Sequence, residues 1–169
     1  MSSIVTPEFA IKMARYNRWQ NQSLYRAADG LSDADRMADR GAFFRSIQET
    51  LSHILWADIA WMNRFAPEIA PSDVPIAKSG AMFADWSVLK SMRGEFDEII
   101  LDWAEAMTPE WLVGELSFYS SAYDKEIRLP RDTSVVHLFN HQTHHRGQVH
   151  AMLTAAGVDP GPTDLPVMP

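Results

Sequence analysis

Four segments of this chain repeat apolar residues three and four apart, and each ends at a proline, a glycine or a capping side chain. That period belongs to amphipathic helices, which bury their apolar stripes by packing on one another as a bundle. The first opens at Thr6-Pro7-Glu8, an N-cap followed by a proline at the first helical position and an acid near the positive end of the dipole. Phe9, Met13, Tyr16, Leu24 and Ala27 then follow one face until Asp29-Gly30 stops the helix. The second runs from about Phe44 to Phe65 and carries Ile47, Leu51, Ile54, Leu55, Ala57, Trp61 and Met62. It is apolar on nearly every side, which places it in the middle of the core. The third spans about Asp85 to Met107, with Leu89, Met92, Phe96, Ile99, Trp103 and Ala106 at bundle spacing and Gly94 as a point of close helix contact. The fourth starts at the caps Asp132 to Ser134 and proceeds to Ala156, before Gly157 and Pro160.

The connections are equally readable. Leu31 to Gly41 is polar and holds about one helical turn. Pro67, Pro71, Pro75 and Gly80 punctuate a crossover that is long enough to pass over the surface and to cover a site beneath it. Thr108-Pro109-Glu110-Trp111 repeats the first helix's cap signal and predicts a short helical turn. Beyond it the period changes to two: Leu116 and Phe118 alternate with polar neighbours, as do Ile127 and Leu129, and Ser120 to Asp124 can turn a small hairpin that ends at Pro130. The fold class expected is therefore all-α, an up-down four-helix bundle with a long crossover and a small hairpin before the last helix, in one domain over residues 1–169.

Chemistry concentrates on the fourth helix. Five of the six histidines lie between His137 and His150. On a wheel of about 100° per residue, His137, His144, His145 and Gln148 gather around His141, on the border of the apolar stripe, while His150 points elsewhere. Residues four apart on a helix have Cβ atoms about 5–6 Å apart, so His141 and His145 can close on one ion. A zincin helix would need Glu straight after the first histidine as general base, and this chain has Gln142. A third ligand must come from another element, and only His53, on the apolar second helix, lies outside the cluster. Alone, His53 would read as a hydrogen-bonded core residue and the His141/His145 pair as surface chance; together the three point to a metal site. Glu49 and Asp58 both lie within five residues of His53; Glu49, one turn away, reads either as a carboxylate supporting the ligand or, the favoured reading, as a solvated one. Gln148 lies on the metal side, where it can bond a ligand, a substrate or the backbone. Arg146, beside Phe139 and Leu153, is expected to pair with an acid inside the bundle or at a subunit contact.

Other properties exclude function classes. A net charge of −7 disfavours binding to a phosphate backbone, so no nucleic-acid partner is expected. Without cysteine there is no thiolate zinc site and no thiol nucleophile of the chain's own. The N-terminus shows no basic-then-apolar signal and no apolar run approaches about 18 residues, which predicts a cytoplasmic protein with no membrane partner.

Asn140-His141-Gln142-Thr143-His144-His145-Arg146-Gly147-Gln148, with Tyr16-Asn17-Arg18-Trp19 upstream and Leu51-Ser52-His53-Ile54-Leu55 between, closely resembles the DinB family, four-helix-bundle proteins first named for damage inducibility. The likeness extends to the ending Gly157 to Leu165. It implies that His53, His141 and His145 bind a divalent metal, with zinc, nickel and ferrous iron all suited to three imidazoles. It also implies a homodimer. Relatives that transfer low-molecular-weight thiols such as bacillithiol or mycothiol suggest a metal-dependent thiol S-transferase or a thiol-dependent isomerase, with a small-molecule thiol as cosubstrate. The alternative is a stress-linked metal-binding protein without turnover. Tyr16, Trp56 and Trp61 are the candidate aromatic walls for an electrophile, and no residue is assigned a catalytic role.

Overall fold

A computed structural model describes residues 3–120 and 123–169. Among the described residues six α-helices and one hairpin follow in chain order: α1 (Pro7–Asp29), α2 (Asp33–Met37), α3 (Ile47–Phe65), α4 (Trp86–Glu105), α5 (Pro109–Leu112), β1 (Glu115–Ser120), β2 (Lys125–Pro130) and α6 (Arg131–Ala155), with short 3-10 helices at Ile76–Ala81 and Leu165–Val167. The start signals act as expected: Thr6 Oγ1 accepts from the Phe9 N–H, Ser46 Oγ from Glu49, and Asp85 Oδ1 from Ser87 and Val88. Two boundaries shift. α3 begins at Ile47 and not at Phe44, because Ser46 is the cap and Arg45 takes a left-handed φ of 63°. α6 begins at Arg131, directly after β2, without a side-chain cap.

The four long helices form the expected bundle. α1 packs against α4 and α6, and α3 packs against α6 and α4. Pairings fix their senses. Arg18 bonds Glu98 while Arg15 bonds Glu105, so α1 and α4 are antiparallel. His53 faces His141 while Trp61 faces His137, so α3 and α6 are antiparallel too. Phe9 meets Phe139 and Asn17 meets Arg146, which makes α1 and α6 parallel. The order is up, down, down, up. The long crossover, residues 66–85, is what sets this order, because it returns the chain to the starting end so that α3 and α4 run the same way.

The crossover is bound along α3 and is not a free loop. Trp56 Nε1 donates to the Val74 carbonyl at 2.7 Å, Ser52 Oγ to Ser79 at 2.8 Å and Gln48 Nε2 to Ala84 at 2.8 Å. A Cβ on Gly80 would stand 3.3 Å from that of Glu49, so glycine permits this close approach. At Gly94, by contrast, an added Cβ meets nothing within 4 Å, so the close helix contact expected there is absent and the position faces a groove between α1 and α4.

The core is apolar around Leu24, Ile47, Leu51, Ile54, Leu55, Met62, Leu89, Ile100, Leu138 and Leu153. Through its middle runs a polar layer that touches all four long helices. Arg93 on α4 donates to Asp58 on α3 at 2.6 Å and sits 3.0 Å from Asp97; Asn21 on α1 donates to Asp97 at 2.8 Å; Gln142 on α6 donates to Asp58 at 2.8 Å. Each of these groups is buried, so sliding one helix would strand a charge, and the layer fixes the helix register. Burial pushes the Asp58 and Asp97 carboxyls up against the opposing pull of Arg93. Burial also works against the Arg93 guanidinium, but the two carboxylates outweigh it and hold its pKa above the usual arginine value.

The hairpin pairs Leu116 with Leu129 and Phe118 with Ile127 in antiparallel register, as the alternation predicts. Part of its expected turn, Ser121 and Ala122, lies outside the described residues. Among the described residues no helix is long and apolar enough to cross a membrane.

Candidate metal centre

His53 is carried by α3, and His141 and His145 by successive turns of α6. The Asp58–Gln142 bond lies beside them and sets the relative height of the two helices, so the residue that replaces the zincin glutamate acts as a register pin. The three side chains each offer a ligand nitrogen, and these nitrogens all lie within 4.8 Å of one another, an arrangement that could hold a metal ion. His137 and His144 flank the cluster on exposed faces, and His150 points to the Gly161 carbonyl at 3.4 Å.

Hydrogen bonds assign the tautomers. Ser79 Oγ donates to the Ile76 carbonyl at 2.7 Å, so it can only accept from His53 Nδ1, 2.8 Å away. His53 therefore carries its proton on Nδ1 and turns the Nε2 lone pair inward. His145 Nδ1 donates to Gln148 Oε1 at 2.8 Å, which frees its Nε2 in the same way. His53 Nε2 and His141 Nε2 stand 3.2 Å apart. Two facing lone pairs at that distance repel, so a proton or a cation must lie between them. Nitrogens bound to one ion at about 2.0–2.1 Å and roughly 90–110° are about 2.8–3.4 Å apart, a span that includes the observed value. His141 Nδ1 is buried without a hydrogen-bond partner.

The electrostatics also favour neutral donors. Burial, reinforced by neighbouring imidazoles, lowers the pKa of His53 and of His141 to about 3. Burial lowers His145 as well, although its bond to Gln148 opposes the shift. Acid does not have to leave these nitrogens before a cation can arrive at neutral pH.

Aromatic rings wall the cluster. Phe44 stacks on His53 with centroids 3.9 Å apart and meets His145 edge-on at 5.5 Å; Trp56 stacks against His53 at 6.0 Å. Trp61 packs on His137 at 4.8 Å. Of the three residues expected as walls, Trp56 lies against His53, and Trp61 lies against His137 and not against a candidate ligand. Tyr16 lies elsewhere: its hydroxyl donates to Thr163 and its ring lies under Arg146, in a groove between α1 and α6. Phe44 and Ser79 were not legible as site residues, since Phe44 reaches His53 from the irregular segment before α3 and Ser79 from a short 3-10 helix in the crossover, whose path only the folded chain defines. Asp58 was marked in the sequence only by lying within five residues of His53, and its bonds to Arg93 and Gln142 depend on the folded chain.

Two further expectations are corrected or refined. Arg146 bonds neutral partners, Asn17 and Thr143, and not an acid; the carboxylates of Asp58 and Asp97 act on it from a distance, and burial lowers its pKa to about 10. Glu49 is half-buried: its backbone N–H donates to the Ser46 cap and its carboxylate accepts from Ser46 Oγ at 3.2 Å.

Comparison with known proteins matches a family model described as DinB family over residues 1–169. The protein called Protein DinB from Bacillus subtilis (strain 168) is 23% identical over 157 residues, covering 93% of this chain and 91% of that relative. The crystal structure of a DinB-like protein from Bacillus cereus ATCC 10987 superposes with a TM-score of 0.59 at 17% identity, over 85% of this chain and 90% of the other, and shows the shared fold.

Proposed function

The chain belongs to the DinB family, and from that premise we propose that it holds one divalent metal ion through His53, His141 and His145 and acts as a metal-dependent thiol S-transferase. The observation that carries the reading is the convergence of three neutral imidazoles, two of them with Nδ1–H already anchored, so that their Nε2 lone pairs meet. Zinc, nickel or ferrous iron would suit this donor set. When bound, such an ion supplies a positive charge that lowers the pKa of a thiol at the site.

The chain's own part is placement. Ser79 and Gln148 hold two imidazole planes, and Phe44 and Trp56 exclude water from one side of His53. The nucleophile must be a small-molecule thiol, because the chain has no cysteine. Its sulfur bonds to the electrophilic carbon, the leaving group departs with the bonding pair, and the thiol proton passes to solvent. Residues 1–169 are read as one domain and the assembly as a homodimer. Sedimentation equilibrium at micromolar concentration should give twice the 19.1 kDa chain mass; the monomer mass would remove the dimer from the reading.

The test of turnover is incubation of metal-loaded protein with a panel of cellular thiols and monochlorobimane, beside the His141→Ala variant. Conjugate formed with one thiol, and lost in the variant, is the expected result. Tight metal retention with no conjugate and no thiol-induced change in the metal's spectrum would leave a metal-binding protein without turnover.

A further inference from the structure

One cation near the histidines has no partner. Arg64, in the last turn of α3, makes no hydrogen bond and no ion pair to another protein group among the described residues. Its guanidinium carbon lies 4.5 Å from the Trp61 ring centre and 4.2 Å from that of Phe118, two rings that meet edge to face at 5.9 Å. Burial by these rings lowers its pKa, and no carboxylate opposes the shift. The other buried or half-buried basic residues among those described, Arg18, Arg36, Arg40, Arg93, Arg131 and Arg146, each hydrogen-bond a carboxylate, a carbonyl or a neutral side chain. A half-buried guanidinium held by two aromatic rings with its donors unused is therefore an exception that calls for a ligand.

Its position names the site. Trp61 packs on His137 at 4.8 Å, and His137 lies 6.0 Å from His141, so Arg64 stands two rings from the candidate metal ligands. At the other end of the cluster Phe44 covers His53 and Phe43, 82% exposed, stands edge-on to Phe44 at 4.9 Å. The surroundings of the cluster are thus cationic at the Trp61 end and apolar at the Phe43 end.

We infer that Arg64 is the carboxylate-recognition residue of this centre, and that the small molecule it admits carries a carboxylate at a short spacing from the group directed at the histidines. This rests on the thiol reading for the identity of that group, but not for the carboxylate. A planar fork of N–H donors suits a carboxylate in two-point contact, whereas a lysine would offer a point charge without the stacking surface.

The experiment uses cobalt-loaded full-length protein and two thiols, mercaptosuccinate and 2-mercaptoethanol, followed by the cobalt absorption spectrum and by calorimetry. Wild type should bind mercaptosuccinate more tightly than 2-mercaptoethanol. Arg64→Gln should weaken mercaptosuccinate by roughly tenfold to a hundredfold and leave 2-mercaptoethanol and metal content unchanged, with Arg64→Lys in between. Equal loss for both thiols, or a preference that survives in Arg64→Gln, would overturn the assignment. If neither thiol alters the spectrum, the thiol reading fails and succinate decides this one: binding heat in wild type that vanishes in Arg64→Gln supports it, and the same heat in both proteins overturns it.

Discussion

Ser79→Ala isolates the step by which the crossover acts on the metal centre. Ser79 is fully buried, and its hydroxyl oxygen is the acceptor for His53 Nδ1 at 2.8 Å. Alanine keeps the backbone and removes that acceptor, together with the hydroxyl's own bond to the Ile76 carbonyl. His53 is 4% exposed, so its N–H has no water to turn to, and stranding a buried donor costs about 1–3 kcal/mol. The ring can avoid this by moving its proton to Nε2, but that occupies the lone pair that faces His141. Either way affinity for the ion falls by roughly 10- to 100-fold, or about 1.4–2.7 kcal/mol. Zinc competition against a chromophoric chelator measures it, with circular dichroism to check the fold. Ser52→Ala is the control: it loosens the same crossover, through the 2.8 Å bond to the Ser79 carbonyl and the 3.2 Å bond from Phe83, without touching His53, so its effect on affinity should be smaller. Affinity within about twofold of wild type in Ser79→Ala would refute the orientation argument, since losses of 10-fold or more are expected for such partners.

Further outcomes follow from the same geometry. His141→Ala should lose the one divalent ion per chain and His150→Ala should keep it, as metal content after gel filtration will show; equal content in wild type and His141→Ala would remove the assignment. In the metal-free protein His53 and His141 have folded pKa values near 3, below the unfolded value of about 6.5, so the unfolded chain binds more protons between these limits. Their contribution to stability is complete above about pH 6.5 and is lost as pH falls, by at most about 1.4 kcal/mol per pH unit each. Urea unfolding from pH 7 to 4 should show this slope in wild type relative to His53→Gln/His141→Gln, and parallel curves would contradict it. Arg93→Met leaves Asp58 and Asp97 buried without their cation and should cost about 3–5 kcal/mol at pH 7, with part recovered at pH 5 as a carboxyl takes up a proton; a loss under about 1 kcal/mol, typical of a surface pair, would show that the layer does not hold the helices.

The sequence by itself determined the parts that depend on near neighbours. Apolar spacing, the caps at Thr6 and Asp85, and the prolines after α3 define four helices, because periodicity and capping are satisfied within a turn or two of chain. The change to alternation at Leu116 and Ile127 marks the hairpin for the same reason. The His141/His145 pair was legible as an i,i+4 spacing, and His53 as the histidine left outside the cluster on an apolar helix.

Only the tertiary structure decided what depends on how helices lie against each other. Asp58 and Arg93 are 35 positions apart, and nothing local distinguishes them from solvated charges until α3 and α4 are brought together in parallel by the crossover. Gln142 marks a missing glutamate in sequence and a register pin in space, because the Asp58 it bonds lies 84 positions away. Ser79 and Phe44 reach His53 from the crossover and from the irregular turn before α3, whose paths are set by tertiary contacts, so no helical wheel can place them. Arg146 met asparagine and threonine where an acid was expected; burial dominates its electrostatics, and the acids of the polar layer oppose it only in part and from a distance. Local rules set which residues become helix, while the crossing of the helices sets which buried polar groups can meet, and it is those meetings that orient the histidines.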